Sequence, residues 1–328
     1  MQNSLLSIEN LRTSFFTRYG VANAVDGVDL AIPQGATVGL VGESGCGKSM
    51  TAMSVMGLVA NPGRVTNGRI LFHNEDLLLK SKAELRKITG DKISMIFQEP
   101  MTSLNPVKTV GHQVREAILL HRSISRAEAR ARVVDIFEKV GIPEPERRYA
   151  AYPHQLSGGL RQRVMIGMAM ACEPDLLIAD EPTTALDVTI EAQILRLMKR
   201  LQREKNMAIL MITHNLGVVS EICDSVYVMY ASEVVETADV FALFKEPLHP
   251  YTGGLIRSLP STRQAGERLY NIRGMVPNLL KMPQGCRFCP RCDKKMPRCE
   301  TEKPPLYAVG DGRKVRCFRY EKGGTGDA

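Results

Sequence analysis

The sequence contains Gly42-Glu43-Ser44-Gly45-Cys46-Gly47-Lys48-Ser49, which reads G-x-x-x-x-G-K-S and decides the predicted fold. An apolar run, Thr37 to Val41, leads into this stretch, and residues compatible with a helix, Met50 to Met56, follow it. Strand, loop and helix in this order form the context in which the pattern binds phosphate. Small residues let backbone N–H groups turn toward a triphosphate, and the helix presents its positive N-terminus to the same charge. The pattern therefore predicts that Lys48 reaches the terminal phosphates and that the Ser49 hydroxyl binds Mg²⁺.

Size and composition limit the classes of protein to which the chain can belong. It has 328 residues, of which 44 % are hydrophobic, which is ample for a large core. The sequence has no apolar run of the roughly 18 residues that a membrane span requires, and its start shows no signal segment, so we expect a cytoplasmic chain. The net charge of +8 is scattered through predicted helices, which favours solvated faces over a surface for nucleic acid or lipid.

Polar residues follow two further apolar strands. Gln98 follows the run Ile93 to Phe97, and the pair Asp180 and Glu181 follows the run Leu176 to Ala179. In a chain with a phosphate-binding loop, an acidic pair at a strand end predicts that Asp180 holds Mg²⁺ through water and that Glu181 polarises the attacking water. A glutamine at a strand end could contact the same Mg²⁺ or water.

Helical patterns lie between the strands. Apolar side chains recur at helical spacing within a region of about 107–172, which predicts a helical insertion whose last helix is capped by Ser157. His214 ends another apolar strand, Ala208 to Thr213. Turn residues over 5–32 suggest antiparallel strands before the loop. The alternation predicts an α/β fold with a parallel sheet, in an enzyme that hydrolyses a magnesium-bound nucleotide.

The end of the sequence differs in character. Periodicity fades after Lys245, prolines become frequent, and five of the eight cysteines fall between Cys286 and Cys317. We therefore predict a nucleotide-binding domain over 1–245 and a small irregular extension over 246–328. In a chain expected to be cytoplasmic, such cysteines favour free thiols or metal and cluster ligation over disulfides.

The order and spacing of the motifs resemble those of an ABC ATPase nucleotide-binding domain over residues 5–245. The resemblance rests on Gly42–Ser49, Gln98, Leu156–Leu160, Asp180–Glu181, Thr184–Asp187 and His214. It implies a P-loop NTPase core with an antiparallel β subdomain and a helical insertion. It implies that the catalytic residues are Glu181, His214 and Gln98, and that Ser49, Gln98 and Asp180 bind Mg²⁺.

The same resemblance assigns the residues that bind ATP. All eight loop residues are included: Gly42, Glu43, Ser44, Gly45, Cys46, Gly47, Lys48 and Ser49. Tyr19 matches the aromatic residue that stacks on adenine, although a half-buried strand aromatic is an equally good interpretation of it from the sequence alone. Asp187 is also implied, and Ser157, Gly158 and Gly159 match the signature that binds ATP held by the opposite subunit.

Three segments narrow the resemblance to the peptide/nickel importer group, and within it to the D-type ATPase of dipeptide or oligopeptide importers. They are Met101–Pro106, Ile178–Asp187 and His249–Thr252. This implies a peripheral subunit at the cytoplasmic face of the cell inner membrane, which hydrolyses ATP to drive peptide import. Its implied partners are a second ABC ATPase, expected to be a paralogue, two permease subunits and, indirectly, an extracytoplasmic solute-binding protein, with no nucleic acid.

Two alternatives stay open at this point. The same motor could serve nickel or another solute, because the cargo is chosen by other subunits. A soluble ABC ATPase of DNA repair or translation is less favoured, because the chain has one phosphate-binding loop and its helical insertion is too short for a long coiled coil.

The cysteine pattern is similar to a four-cysteine segment of such subunits, some of which carry a [4Fe-4S] cluster. The matching residues are Cys286, Cys292, Cys299 and Cys317, and Cys289 lies outside the pattern. Zinc is the alternative, since four thiolates suit either.

The sequence also departs from the group at four positions. Leu160 stands where Gln is commonest and Asn215 where Asp is usual, and Ser232 and Ala238 stand where Gly is common. None of these changes removes a predicted catalytic group.

Overall fold

The computed structural model describes residues 4–98, 103–184, 186–259 and 270–321. Its strands are β1 (Ser4–Thr17), β2 (Gly20–Pro33), β3 (Thr37–Val41), β4 (Gly63–Phe72), β5 (Glu75–Asp76), β6 (Ile93–Ile96), β7 (Leu176–Asp180), β8 (Ala208–Thr213), β9 (Ser225–Tyr230), β10 (Glu233–Asp239), β11 (Tyr307–Ala308) and β12 (Lys314–Val315). Its helices are α1 (Lys48–Val55), α2 (Lys82–Ile88), α3 (Val110–His121), α4 (Arg126–Lys139), α5 (Pro145–Tyr149), α6 (Gly158–Ala169), α7 (Val188–Lys205), α8 (Leu216–Ile222), α9 (Val240–Lys245) and α10 (Pro250–Arg257).

The chain divides into two compact units. The first comprises residues 1–5, 33–36 and 79–210, and the second comprises residues 6–32, 37–78 and 211–328. Strand β8 is therefore shared, with its first half in the first unit and its second half in the second.

The first unit combines two parallel strands with the predicted helical region. Strand β6 pairs with β7 in parallel, and the first half of β8 is the other neighbour of β7. Both β6 and β7 are buried along their whole length, as near-continuous apolar runs in a covered parallel sheet should be. Helices α3 to α6 lie within the region predicted to be helical, and Ala129, Val133 and Phe137 form the buried stripe of α4, as their helical spacing predicts.

Two helix starts in the first unit are set by their own sequence. Ser125 and Glu128 form a capping box at α4: the Ser125 hydroxyl accepts the Glu128 N–H at 3.2 Å, and the Glu128 carboxylate accepts the Ser125 N–H at 2.8 Å. Ser157 is the N-cap of α6, which confirms the prediction for that residue.

The second unit contains a four-stranded sheet with the order β2-β1-β4-β5. Strand β1 runs antiparallel to β4, which follows the loop, and β2 is its other neighbour, so the residues before the loop form two adjacent strands of this sheet. The dipeptide Asn67-Gly68 is typical of a turn, but β4 begins at Gly63 and continues through it. The register shifts opposite this point, between Glu9 and Arg12, and Gly68 takes a φ of 100°, so an irregularity within the strand accommodates the turn-forming pair.

A second sheet of this unit has the order β11-β12-β10-β9-β3, with the second half of β8 next to β3. Strand β3 pairs in parallel with β9, and β10 is antiparallel to both β9 and β12. The C-terminal extension was predicted to be irregular, yet it contributes β11, β12 and helix α10. Tyr251 and Phe288 of the extension share one hydrophobic core with Val228 and Tyr230 of β9. The domain boundary at residue 245 stays a prediction.

Within the described ranges, no helix is both long and apolar enough to cross a membrane.

Candidate nucleotide site

The predicted phosphate-binding loop connects β3 to α1, and two of its glycines are required by their surroundings. The loop has φ values of 153° at Gly42, 79° at Gly45 and 105° at Gly47. A Cβ atom at Gly42 would lie 2.2 Å from the carbonyl oxygen of Met229, and one at Gly47 would lie 2.3 Å from that of Ala24. Gly45 has no neighbouring atom within 4 Å of such a Cβ. The backbone thus packs closely at both ends of the loop and is open in the middle.

The Lys48 side chain lies inside the loop, with 5 % of the residue exposed. Its ammonium donates hydrogen bonds to the carbonyl oxygens of Gly42 at 2.7 Å and Glu43 at 3.1 Å. Cys46 is fully buried, and this burial raises the pKa of its thiol. Ser44 is exposed and Ser49 is half-buried. Carbonyl oxygens orient the ammonium without neutralising its charge, so Lys48 can still attract a phosphate.

Residues of the acidic pair lie in the first unit with Gln98. Asp180 is buried at the end of β7, and Glu181, which follows it, has a φ of 47°. The Gln98 amide donates a hydrogen bond to Glu181 Oε2 at 3.2 Å, and the Thr184 hydroxyl donates one to the same oxygen at 2.9 Å. The structure therefore brings together two of the three predicted catalytic residues. A carboxylate oriented in this way is suited to bind and polarise a water molecule.

The predicted signature residues and Asp187 lie at helix N-termini in the first unit. The Ser157 hydroxyl accepts the Leu160 N–H at 3.4 Å, and the Asp187 carboxylate accepts the Ile190 N–H at 2.9 Å. Gly158 is exposed and Gly159 is half-buried. The capping bonds explain why these side chains are polar. Their role toward a nucleotide stays a prediction.

Tyr19 and His214 are both exposed in the second unit. Tyr19 lies in the turn between β1 and β2 with 71 % of its surface exposed, and the Arg18 guanidinium lies 4.6 Å from its ring centroid. An exposed ring is accessible to a base, which fits stacking better than the alternative of a half-buried strand aromatic. His214 directly follows β8. Asn215, where the resembled group has Asp, caps α8 by accepting the Gly217 N–H at 2.9 Å, a role that either residue can fill.

Five cysteines of the extension line one cavity, which is also lined by His249 and Phe318. They are Cys286, Cys289, Cys292, Cys299 and Cys317. All are free thiols, and burial raises the pKa of Cys286 to about 12 and that of Cys292 to about 11. In the part of the chain that the structure describes, no three His, Cys, Asp or Glu side chains form a metal-binding group. The predicted iron–sulfur site is therefore not confirmed, and neither is zinc.

Some of the motif residues lie outside the described part of the chain. Residues 99–102, which include the start of the Met101–Pro106 marker, are among them, as is Ala185 in the segment after the acidic pair.

Comparison with known proteins places these motifs in a class. The family described as "ABC transporter" matches residues 25–184, and the family described as "Oligopeptide/dipeptide transporter, C-terminal region" matches residues 235–299. The fold resembles the dimeric structure of MJ0796, a bacterial ABC transporter cassette, with a TM-score of 0.65 and 28 % identity. That match covers 72 % of this chain and 98 % of the cassette. The class defined by the fold and the loop is thus the ABC transporter ATPases.

Two relatives extend over nearly the whole chain. Oligopeptide transport ATP-binding protein AppD of Bacillus subtilis (strain 168) is 52 % identical over 324 residues, which cover 98 % of this chain and 99 % of AppD. Dipeptide transport ATP-binding protein DppD of Escherichia coli (strain K12) is 48 % identical over 314 residues, 96 % of each chain. The chain belongs to the family of oligopeptide and dipeptide transport ATP-binding proteins. The predicted fold class and family are confirmed, and these relatives give no support to the nickel, DNA-repair or translation alternatives.

Proposed function

We propose that this chain hydrolyses ATP to drive the import of dipeptides or oligopeptides through a membrane permease complex. It acts at the cytoplasmic face of the cell membrane, bound to two permease subunits and paired with a second ABC ATPase, expected to be a paralogue. An extracytoplasmic solute-binding protein delivers the peptide. The support is similarity to AppD and DppD over nearly the full chain, together with the match of residues 235–299 to the C-terminal region of oligopeptide and dipeptide transporters.

The observation that carries the ATPase role is the conformation of the phosphate-binding loop. Its backbone is closely packed at Gly42 and Gly47, and the Lys48 ammonium is oriented by two neutral carbonyl oxygens. The loop residues bind the triphosphate of ATP, and Tyr19 stacks on its adenine ring. A bound MgATP would supply the phosphoryl group and the charge that Lys48 neutralises.

The remaining predicted residues take the roles that their chemistry allows. Asp180, Gln98 and Ser49 supply oxygen ligands for Mg²⁺. Glu181 orients and polarises the attacking water, and His214 assists it at the terminal phosphate. The signature Ser157–Gly159 and Asp187 act on ATP held by the paired ATPase, because a head-to-tail pair lets each loop meet the other subunit's signature.

A pair of substitutions tests this function in the assembled transporter, with the paired ATPase's own site inactivated. Glu181→Gln should keep MgATP binding and lower phosphate release by about 10²-fold or more, because it removes the base and preserves the shape. Lys48→Ala should weaken MgATP binding itself. Glu204→Gln, at an exposed acid of α7, is the matched control and should change neither quantity. A near-parental rate in Glu181→Gln would show that Glu181 does not have this role.

We also propose that Cys286, Cys292, Cys299 and Cys317 bind a [4Fe-4S] cluster, with zinc as the alternative. The support is that all four line the same cavity. The chemistry of the donor set suits the group, since thiolates are ligands of both zinc and iron–sulfur clusters. These thiols must lose their protons to ligate a metal, so binding releases protons and is favoured at higher pH.

Metal analysis of anaerobically purified protein tests the cysteine proposal. Iron and acid-labile sulfide should be present in near-equal amounts. Cys299→Ser or Cys317→Ser should lose both, whereas Cys289→Ser should keep them, because Cys289 lies outside the four-cysteine pattern. Zinc without iron would select the alternative, and loss of the cluster in the Cys289 variant alone would contradict the ligand set.

A further inference from the structure

Glu43 of the phosphate-binding loop is held by the C-terminal part of its own unit. The Arg291 guanidinium donates two hydrogen bonds to the Glu43 carboxylate, from Nη1 to Oε2 at 2.7 Å and from Nη2 to Oε1 at 3.0 Å. The Tyr251 hydroxyl accepts a hydrogen bond from the Glu43 backbone N–H at 2.9 Å. Residues 208 and 248 positions further along the chain therefore fix both the backbone and the side chain of one loop residue.

The Arg291 side chain is itself fixed in place. Its Nε donates to the carbonyl oxygen of Arg273 at 3.0 Å, and its Nη2 donates to that of Ile272 at 3.3 Å. Only 5 % of the Arg291 side chain is exposed, compared with 28 % of the Glu43 side chain. Two parallel charge-assisted hydrogen bonds between a guanidinium and a carboxylate fix the geometry of both partners.

Tyr251 is equally constrained, because it lies in the core of the unit. It is fully buried, with its ring centroid 4.7 Å from that of Tyr230 and 5.5 Å from that of Phe288. The Tyr230 hydroxyl in turn lies 3.4 Å from Arg291 Nη1. Close packing leaves these rings little freedom, so the acceptor offered to the Glu43 N–H has a defined position.

A second arginine of the cysteine-rich segment reaches the loop through one intermediate turn. Arg287 donates a hydrogen bond to the carbonyl oxygen of Ala231 at 2.5 Å, and it also pairs with the Asp26 carboxylate. Ser232, which follows Ala231 in the chain, donates its N–H to the carbonyl oxygen of Cys46 at 3.0 Å. Ala231 and Ser232 have φ values of 45° and 74°, which are maintained only where neighbouring contacts support them. The loop is thus supported at Glu43 directly and at Cys46 indirectly.

We infer that Arg291 and Tyr251 are positioning residues for the nucleotide site, which hold the phosphate-binding loop in the conformation that receives the triphosphate. The inference rests on the proposed role of this loop in binding ATP. A loop that is ordered before the ligand arrives binds that ligand more tightly, because binding then does not include the entropic cost of ordering the loop. The C-terminal segment therefore raises the affinity for ATP while leaving the chemical step at Glu181 unchanged.

Equilibrium binding and steady-state kinetics of Arg291→Ala test the inference in the full-length chain and the assembled transporter. The Kd for MgATP should rise about tenfold, the change that corresponds to ~1.4 kcal/mol. The KM for ATP should rise with it, while kcat at saturating ATP stays at the parental value. A residue that only supports overall stability would not produce this separation of KM from kcat.

Arg298→Ala is the matched control. Arg298 lies in the same cysteine-rich segment and also makes a bidentate pair, with the Glu321 carboxylate at 2.6 Å and 3.1 Å, but that partner is outside the loop. It should leave the Kd for MgATP unchanged. An equal change of Kd in Arg291→Ala and Arg298→Ala, or none in either, would overturn the inference.

The pairing with Glu43 gives a second, independent measurement. Glu43→Ala should raise the Kd for MgATP. The Kd of the double variant Glu43→Ala/Arg291→Ala should not exceed the higher of the two single-variant values, because both changes remove the same contact. Additive losses would contradict the inference. If Arg291→Ala does not fold, Glu43→Gln keeps the shape and removes the charge, and a parental Kd in that variant would also contradict it. Failure of the parent protein to bind MgATP would instead refute the proposed function.

Discussion

Replacing Gly47 with alanine should damage the nucleotide site far more than replacing Gly45, although both are glycines of one loop with positive φ. At Gly45 the added methyl group meets nothing within 4 Å, so the cost is the left-handed backbone alone, about 1–2 kcal/mol. At Gly47 the methyl carbon would lie 2.3 Å from the carbonyl oxygen of Ala24, whereas ordinary contact begins at 3.4 Å. The oxygen belongs to the backbone of β2, so the loop has to move by about 1 Å. Overpacking of this kind typically adds a further ~1–3 kcal/mol.

The two variants separate when stability and binding are measured side by side. Thermal unfolding followed by circular dichroism should show a larger drop in melting temperature for Gly47→Ala than for Gly45→Ala. Isothermal titration calorimetry should show that Gly47→Ala raises the Kd for MgATP by about tenfold or more, because displaced N–H groups no longer face the phosphates. Gly310→Ala is the control for backbone conformation alone, since Gly310 has a φ of 89° and no neighbour within 4 Å of an added Cβ. Equal melting temperatures and equal Kd values for Gly47→Ala and Gly45→Ala would refute the reasoning.

Three further predictions concern packing and charge within the two units. Phe137→Ala should lower the free energy of unfolding by about 3–5 kcal/mol, because the ring is fully buried in α4, whereas Leu120→Ala, at a side chain that is 75 % exposed, should change it by about 0.5 kcal/mol or less in a urea titration. Cys46 should resist iodoacetamide at neutral pH until the protein is denatured, as read by peptide mass spectrometry, because burial raises the pKa of its thiol and leaves little thiolate. Burial would raise the pKa of Asp26, but neighbouring cations, Arg287 foremost, lower it overall. The stabilisation from its charge is therefore present above about pH 4 and is lost as the pH falls below that value. When the pH is lowered below about 4, Asp26→Asn should lose less of its free energy of unfolding than the parent protein does.

Features that depend on neighbours in the sequence could be predicted from it. The strand Ala208–Thr213 was predicted with its observed bounds, and Thr37–Val41 likewise, because buried parallel strands are short continuous apolar runs. The N-cap at Ser157 followed from a hydroxyl residue placed directly before a helical pattern. On α7 the apolar residues Ile190, Ile194, Leu197, Met198 and Leu201 recur at helical spacing, which predicts one buried face. All are buried except Ile190, which is half-buried.

Features that depend on distant partners could not be predicted. Strands β11 and β12 have two residues each, too few to show a period of two, and they exist because β10 offers a free edge for pairing. The contact between Glu43 and Arg291 joins residues 248 positions apart. From the sequence, Arg291 was only one of several positive charges among cysteines, and Tyr251 was only a residue of a family motif. Nothing local distinguishes Arg291 from Arg298, yet Arg291 contacts Glu43 of the phosphate-binding loop and Arg298 contacts Glu321.

The way in which the C-terminal extension is attached explains why such a remote arginine can be placed reliably. Glu236 of β10 is fully buried, and its carboxylate accepts the N–H groups of Leu248 and His249 at 2.8 Å each, which fixes the start of α10. Tyr251, in the first turn of that helix, is thereby aimed at the Glu43 N–H. Buried charges gain little net stability, because their desolvation offsets their attraction, but a mispaired arrangement leaves them uncompensated. Attachment through Glu236 and through the Arg287–Asp26 pair therefore selects one position for the extension, and that position carries Arg291 to the loop.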